Sequence, residues 1–179
     1  MAVNPVALIL GAGPRVGQAV AKKFASQGFK VAIVSRTGTN DKTDEGFLSL
    51  KADFANPETI PPVFTAVKTE FQTAPSVVVY NAAALTFPPI EGSVFSTPYE
   101  AVAKDVNINT ISAYVAAQQA VSGWETLPAE TKKSFIYTGN ILNVSILPMP
   151  MGLTLGIGKS ASAFWVGFAN AMYASKGFR

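Results

Sequence analysis

Short, continuous apolar runs alternate with stretches whose apolar residues recur at helical spacing, and the alternation persists along the whole chain. VALIL (Val6–Leu10) predicts a buried strand, after which residues 11–28 turn into a helix with Val16, Ala19, Val20 and Phe24 on one face and Gly28 at its close. KVAIVS predicts a second strand. A polar loop over 37–46 leads to a third, FLSLKAD, and a helix is expected from about Pro57 or Pro61 to Phe71. SVVVY predicts the fourth strand, residues 98–122 a long helix, SFIYTG the fifth strand and residues 155–175 a last helix. Continuous apolar strands separated by helices are buried on both faces. The pattern therefore predicts an α/β class domain over residues 1–179, a doubly wound parallel sheet with right-handed crossovers.

Composition narrows what such a domain does. With 49% hydrophobic and 14% charged residues the chain fills one core. It has no cysteine and no histidine, which excludes disulfides, thiolate nucleophiles, Ser-His-Asp triads and the usual zinc ligand sets, so no metal is expected. The net charge is +3, but the cations are scattered, with Lys22-Lys23 and Lys132-Lys133 the only pairs, which argues against nucleic acid as a partner. Residues 134–158 carry no charge and are long enough to span a bilayer. Asn140, Asn143, Pro148 and Pro150 would leave polar groups unpaired in lipid, so a strand followed by a loop is expected there, and no membrane partner. MAVNPVALIL lacks the basic flank and small-residue cleavage site of a signal peptide, and a cytoplasmic location is expected.

The first strand-to-helix turn carries the first chemistry. Gly11, Gly13 and Gly17 follow a predicted strand and open a predicted helix, with Arg15 and Val16 inside the turn. Gly11 permits the sharp turn, a missing side chain lets a diphosphate approach the backbone, and the helix N-terminus offers unpaired N–H donors. Alone, such a trio reads equally well as a turn that lets strand and helix pack closely. Support comes from the end of the second strand. A site for the unphosphorylated dinucleotide places Asp or Glu there against the adenosine ribose, whereas this chain has Ser35-Arg36. A guanidinium suits a 2′-phosphate, and Arg15 adds a second cation, so NADP(H) is favoured over NAD(H). Lys159, in TLGIGKSASAFW, has no carboxylate within a helical turn on either side, so its partner comes from elsewhere in the fold or from a ligand.

The glycine turn, Asp53-Phe54 after the third strand, Asn81-Ala82-Ala83 after the fourth, Asn109 in the long helix and Lys159 together resemble the short-chain dehydrogenase/reductase family in order and spacing. The resemblance covers the whole chain and implies a Rossmann-like fold that binds a nicotinamide coenzyme. It implies that Asp53 and Phe54 contact adenine, that Asn81 and Ala82 lie along the adenosine ribose, and that Lys159 holds the nicotinamide ribose hydroxyls. Asn107 competes with Asn109 for the helix position, although the nine-residue step from Asn109 to Gln118 matches the family interval better. Both asparagines also suit bonding to helix backbone.

Departures from the family are as informative. Leu155 stands at the position of the family's proton-transferring tyrosine and has no proton to give; the serine region reads Thr138-Gly139-Asn140. Arg15 replaces the second glycine of the turn, with Gly13 beside it, and Ala83 replaces a glycine after the fourth strand. Tyr173 precedes Lys176 by three residues rather than four and falls at the far end of the last helix, which marks it as a packing residue; Tyr114 and Tyr137 are read likewise. The family fold has two further strands, and Lys176-Gly177-Phe178-Arg179 reads as the entry into the next of them. Without a neighbour the fifth strand would be an exposed apolar edge.

The expectation is therefore an NADP(H)-dependent oxidoreductase acting on a carbonyl, alcohol or activated alkene, with Lys159, Asn109 and Asn140 as catalytic residues and a water held by Lys159 and Asn109 as one proton relay. The alternative is a non-catalytic NADP(H)-binding or scaffold protein. A small-molecule substrate and a homodimer or homotetramer formed through the long helix and the last helix are expected from the resemblance.

Overall fold

A computed structural model describes residues 4–150 and 152–179, so the first three residues of MAVNPVALIL lie outside the described residues. The apolar runs assemble into one sheet. In chain order the elements are β1 (Val6–Leu10), α1 (Val16–Ser26), β2 (Lys30–Ser35), β3 (Asp41–Lys42), β4 (Leu48–Lys51), α2 (Ile60–Phe71), β5 (Val77–Tyr80), α3 (Tyr99–Val106), α4 (Ser112–Trp124), β6 (Ser134–Tyr137) and α5 (Gly152–Met172). The strand order is β3-β4-β2-β1-β5-β6, and every neighbouring pair is parallel except the hairpin of β3 with β4. This is the doubly wound α/β arrangement expected from the alternation of strands and helices.

Each central strand buries both faces, which is why its sequence is continuously apolar. Leu8, Leu10, Val34, Val78 and Tyr80 pack on one side with Val63, Val67, Ala113 and Ala116 from α2 and α4. Ala7, Ile9, Val31, Ile33 and Val79 pack on the other with Ala21 of α1. β3 escapes the sequence pattern because it is two exposed polar residues. It is set by Asn40, whose left-handed backbone (φ 57°) makes the bend while its Oδ1 accepts from Lys51 N at 2.9 Å.

Two expectations need correction. Val16 and Ala19 do not form the buried face of α1: Val16 is 54% exposed, and the buried residues are Gly17 and Ala21, with Val20 and Phe24 packed beside them. A side chain on Gly17 would collide with the backbone of Ala12, so the helix turns its smallest residue toward the glycine turn and its first valine outward. The long helix is not uniform either. Between α3 and α4, residues Asn107–Ile111 form a π turn, which locally widens the helix.

The outer edge of β6 is partly paired. Lys133 bridges Phe178 in parallel, Phe135 N donates to Arg179 O at 2.6 Å, and Arg179 N donates to Lys133 O at 3.2 Å. The C-terminal residues thus begin to cover the edge that sequence reasoning marked as vulnerable.

Candidate functional site

Strand order reverses direction between β1 and β5, and the chain leaves both strands at the same end of the sheet. A crevice opens at such a switch point by topology alone. Here it is a cleft of about 790 Å³, lined by Gly11, Gly13, Arg15, Val16 and Gly17 from the first turn and by Arg36 from the end of β2. Asp53 and Phe54 follow β4 into the same cleft, and Asn81, Ala82 and Ala83 follow β5.

The turn that floors the cleft is tightly built. Gly11 has φ +92°, and a side chain there would strike the backbone of Asn81 and Ala82. Asn81 Nδ2 donates to Gly11 O at 3.0 Å and Asn81 N to Leu10 O at 2.7 Å, which staples the segment after β5 to the turn. Gly13 is different, because a side chain there would meet open space rather than protein. No side chain caps α1, its first turn holds no acid, and the N–H groups of Arg15, Val16 and Gly17 find no backbone acceptor among the described residues. An uncapped helix mouth beneath a bare glycine, with two exposed guanidinium-bearing residues at its rim, fits an anionic diphosphate.

The end of the cleft formed by Asp53 and Phe54 is less open. Asp53 Oδ1 already accepts from Ala55 N at 3.0 Å. Phe54 reaches the cleft wall, but its ring packs edge-on against Tyr80 at 5.8 Å between centroids, so most of that side chain belongs to the core.

Lys159, Asn109 and Asn140 do not line this cleft. Lys159 Nζ donates to Thr138 O at 2.6 Å and lies 4.5 Å from the centroid of the Tyr137 ring. Burial lowers its pKa from the usual lysine value of 10.5. The partner sought for this lysine is thus a backbone carbonyl and an aromatic face. Asn109 is wholly buried on the π turn; its Oδ1 accepts from Ala84 N at 2.9 Å and its Nδ2 donates to Ala84 O at 2.7 Å. Its carbonyl accepts from Tyr137 Oη (2.7 Å) and from Ser162 Oγ (2.9 Å). Both lone pairs of that oxygen are therefore occupied, and a relay water on the Asn109 carbonyl does not fit. Asn140 caps the short turn Ile141–Asn143, its Oδ1 accepting from Leu142 N at 3.0 Å, which leaves only its amide N–H groups for a substrate. Asn107 binds Ala55 O through Nδ2 at 3.1 Å.

The tyrosines explain one another. Widening of the helix at the π turn redirects carbonyls inward, and Tyr80 Oη donates to Ile108 O at 2.6 Å as Tyr137 Oη does to Asn109 O. Burial raises both phenols above their usual range, so they serve as fixed donors. Tyr173 packs beside Phe178, 5.8 Å between centroids. Gly158 lets α5 close on this turn, since a side chain there would collide with Asn109.

A second cavity, of about 640 Å³, lies where the loop after β6 meets α5. Pro88, Val94, Leu142, Ile146, Leu153 and Ile157 supply its apolar wall, Ser93, Ser145 and Ser160 its hydroxyls, and among the described residues no charged one lines it. Sequence reasoning missed this cavity because it is assembled from loops. It also missed Thr154, whose Oγ1 accepts from Thr86 N at 3.1 Å and so ties α5 to the cleft wall, and Asp105, a buried acid in the cleft. The four-residue step from Asp105 to Asn109, which on a regular helix sets two residues on one face, was the available signal. Among the described residues no group of three or more acidic, His or Cys side chains is placed to hold a metal, and no helix is long and apolar enough to cross a membrane.

Residues 11–154 match a family model described as Enoyl-(Acyl carrier protein) reductase. A short-chain dehydrogenase/reductase of Cryptosporiopsis sp. is 38% identical over 187 residues, covering 98% of this chain and 74% of that protein. The fold is similar to a 3-oxoacyl-[acyl-carrier protein] reductase from Brucella melitensis (TM-score 0.81, 20% identity, 99% of this chain and 73% of that one). It is also similar to a short-chain dehydrogenase/reductase from Serratia marcescens (TM-score 0.76, 23% identity, 97% and 72%). A 4-hydroxyisoleucine dehydrogenase solved with NADH gives a TM-score of 0.79 at 17% identity, over 98% of this chain and 72% of that one.

Proposed function

Because the chain belongs to the short-chain dehydrogenase/reductase family, we propose that it is an NADP(H)-dependent oxidoreductase acting on a carbonyl, alcohol or activated alkene of an apolar small molecule. The observation that carries this reading is the meeting, in one cleft, of the glycine turn, an uncapped helix mouth and Arg36 where an acid would select the unphosphorylated coenzyme.

In this reading the free N–H groups of Arg15, Val16 and Gly17 receive the diphosphate, and Gly13 leaves room for it. Arg36 pairs with the 2′-phosphate and Arg15 adds to the attraction from across the turn. Asp53, Phe54, Asn81, Ala82 and Ala83 form the walls along adenine and its ribose. When bound, the nicotinamide supplies or takes the hydride. Lys159 then has to leave, or share, the Thr138 carbonyl to reach the second ribose; its short bond to Thr138 O makes it a positioned cation in either case. Asn109 acts through Ala84, holding the cleft wall in place, and Asn140 offers an amide N–H near the end of β6.

The apolar cavity beside α5 accepts the body of the substrate. Leu155 cannot protonate an oxygen, so an activated alkene, whose reduction needs no strong protein acid, suits the site better than a simple ketone. The description of the matched family model as an enoyl reductase agrees with that choice. Leu155 also favours the second reading, a dinucleotide-binding protein without turnover. Exposed Tyr114, Phe164, Phe168 and Met172 on α4 and α5 give both readings an apolar face for a second copy.

Titration with NADPH and NADH tests the selectivity: the wild type binds NADPH more tightly and Arg36→Asp reverses the order. Equal preference in both proteins would contradict the role of Arg36. Single-turnover mixing with an enone and carbonyl panel separates the readings, since hydride transfer supports the enzyme and tight binding without transfer supports the second.

A further inference from the structure

Glycine is, after proline, the least favourable residue in a helix interior, and α5 carries one at Gly156 that neither backbone conformation nor packing requires. A side chain on Gly158 would strike Asn109 and one on Gly152 would come within 3.3 Å of Leu147 O, but one on Gly156 would meet open space among the described residues. That space is the apolar cavity, which Gly156 lines together with Gly152, Leu153, Ile157 and Ser160 of the same helix face. The loop above is fastened to α5 at both ends. Ser160 Oγ donates to Leu142 O at 2.8 Å and Gly152 N donates to Met149 O at 2.8 Å, anchors that lie about 12 Å apart along the helix. Gly156 stands midway beneath this arch.

Charge decides what the arch admits. The two stretches that form most of the cavity are nearly free of it: residues 85–98 hold Glu91 alone, and residues 134–158 hold none. Glu91 is exposed and precedes Gly92 and Ser93 of the cavity wall. Lys159, the cation adjacent to Ser160 in the chain, donates to Thr138 O and lies outside the lining. A substrate carboxylate would therefore give up water against an apolar wall, with an acid rather than a base at the rim. Hydroxyls are what the wall offers instead. Ser160 Oγ already donates to Leu142 O and is left to accept, while Ser93 Oγ and Ser145 Oγ have no partner among the described residues and can donate to a carbonyl oxygen. Chemistry points the same way, because a free carboxylate deactivates a conjugated alkene toward an arriving hydride and an ester leaves it electrophilic.

We propose that the substrate is an uncharged α,β-unsaturated carbonyl compound, any carboxyl group masked as in an ester, and that Gly156 makes the room for its chain beneath the arch. The proposal rests on the oxidoreductase reading and narrows it: free acids are refused, and one absent side chain sets the width of the cavity beside α5. A volume of about 640 Å³ belongs to sites for ligands much larger than the smallest enones, so the chain extends several carbons beyond the alkene.

The test is a calorimetric titration, at neutral pH and with NADP+ present so that no turnover occurs, of wild type, Gly156→Leu and Gly156→Met. The ligands are methyl trans-2-octenoate, the trans-2-octenoate anion and methyl trans-2-butenoate. Wild type is expected to bind the octenoate ester at least about 10-fold more tightly than the anion, beyond the roughly 4-fold that one added methyl supplies, and about 100-fold more tightly than the short ester. Both variants are expected to weaken the octenoate ester at least about 10-fold, to bind NADP+ as wild type does and to melt no lower, since each replaces a helix glycine with a better helix former. The flexible Gly156→Met side chain fills the same space and carries the test if Gly156→Leu does not fold. Anion and ester binding equally tightly would overturn the uncharged substrate, and an ester affinity unchanged in the folded variants would overturn the role of Gly156. Wild type that binds NADP+ but neither ester would overturn the proposal and leave the coenzyme reading standing. Wild type that binds no NADP+ would overturn that reading, and the proposal with it.

Discussion

Lys159 sits in a low-dielectric pocket with the Thr138 carbonyl and the Tyr137 ring as its partners. Burial holds its pKa below 10.5, so between the lowered value and 10.5 the folded chain binds fewer protons than the unfolded chain. Its contribution to stability therefore rises with pH across that window, and the full cost of the buried charge is felt below it. Lys159→Met removes the titration. Denaturant midpoints measured over a pH series should show the variant's advantage, or its smallest deficit, below the window, with wild type gaining on it as pH climbs to 10.5. A difference that stays flat with pH would contradict the buried-charge account. The sequence showed that this lysine lacks a local carboxylate; it did not show that a carbonyl 21 residues away accepts its hydrogen bond, because that contact depends on how α5 seats against β6.

At the scale of elements, the strands were legible because each central one is buried on both faces, and the helices because their apolar residues recur at helical spacing. The π turn was not. One extra residue per turn leaves the run of apolar and small side chains from 98 to 122 almost unchanged, yet it redirects the carbonyls of Ile108 and Asn109 onto two tyrosines. That turn positions Asn109 to hold both backbone groups of Ala84, and Ala84, Leu85 and Thr86 line the cleft. Asn109→Ala strands a buried donor and a buried acceptor, at about 1–3 kcal/mol each. Urea unfolding should show a loss of about 2–6 kcal/mol, and NADPH affinity should fall as the cleft wall loosens. Asn140→Ala removes one cap, about 1 kcal/mol, and should leave NADPH affinity unchanged. If the two variants weaken binding equally, the Asn109 clamp does not shape the cleft.

For the whole molecule, the order of strands decided where a site forms, and the glycine turn with Arg36 marked it in the sequence. The apolar cavity beside α5 and the buried acid in the cleft became visible only in three dimensions, since loops and a helix distortion assemble them. The same scale governs association. Phe164 is 77% exposed and Phe168 60%, an arrangement that a lone domain seldom presents to water. Sedimentation should find a dimer or larger assembly for the wild type, and Phe168→Lys should shift it toward monomer; a wild-type monomer at micromolar concentration would contradict this use of α4 and α5.

The claim beneath all of this is that a dinucleotide diphosphate rests on the mouth of α1, and Gly13 gives the sharpest access to it, because a side chain there meets open space and leaves the fold untouched. Titration of wild type and Gly13→Val with NADPH, alongside their melting temperatures, is the direct measurement. The account predicts equal melting temperatures without ligand and an affinity at least about 100-fold weaker in the variant, as close diphosphate contacts are lost. Undiminished NADPH binding by Gly13→Val, or no binding by wild type, would contradict it.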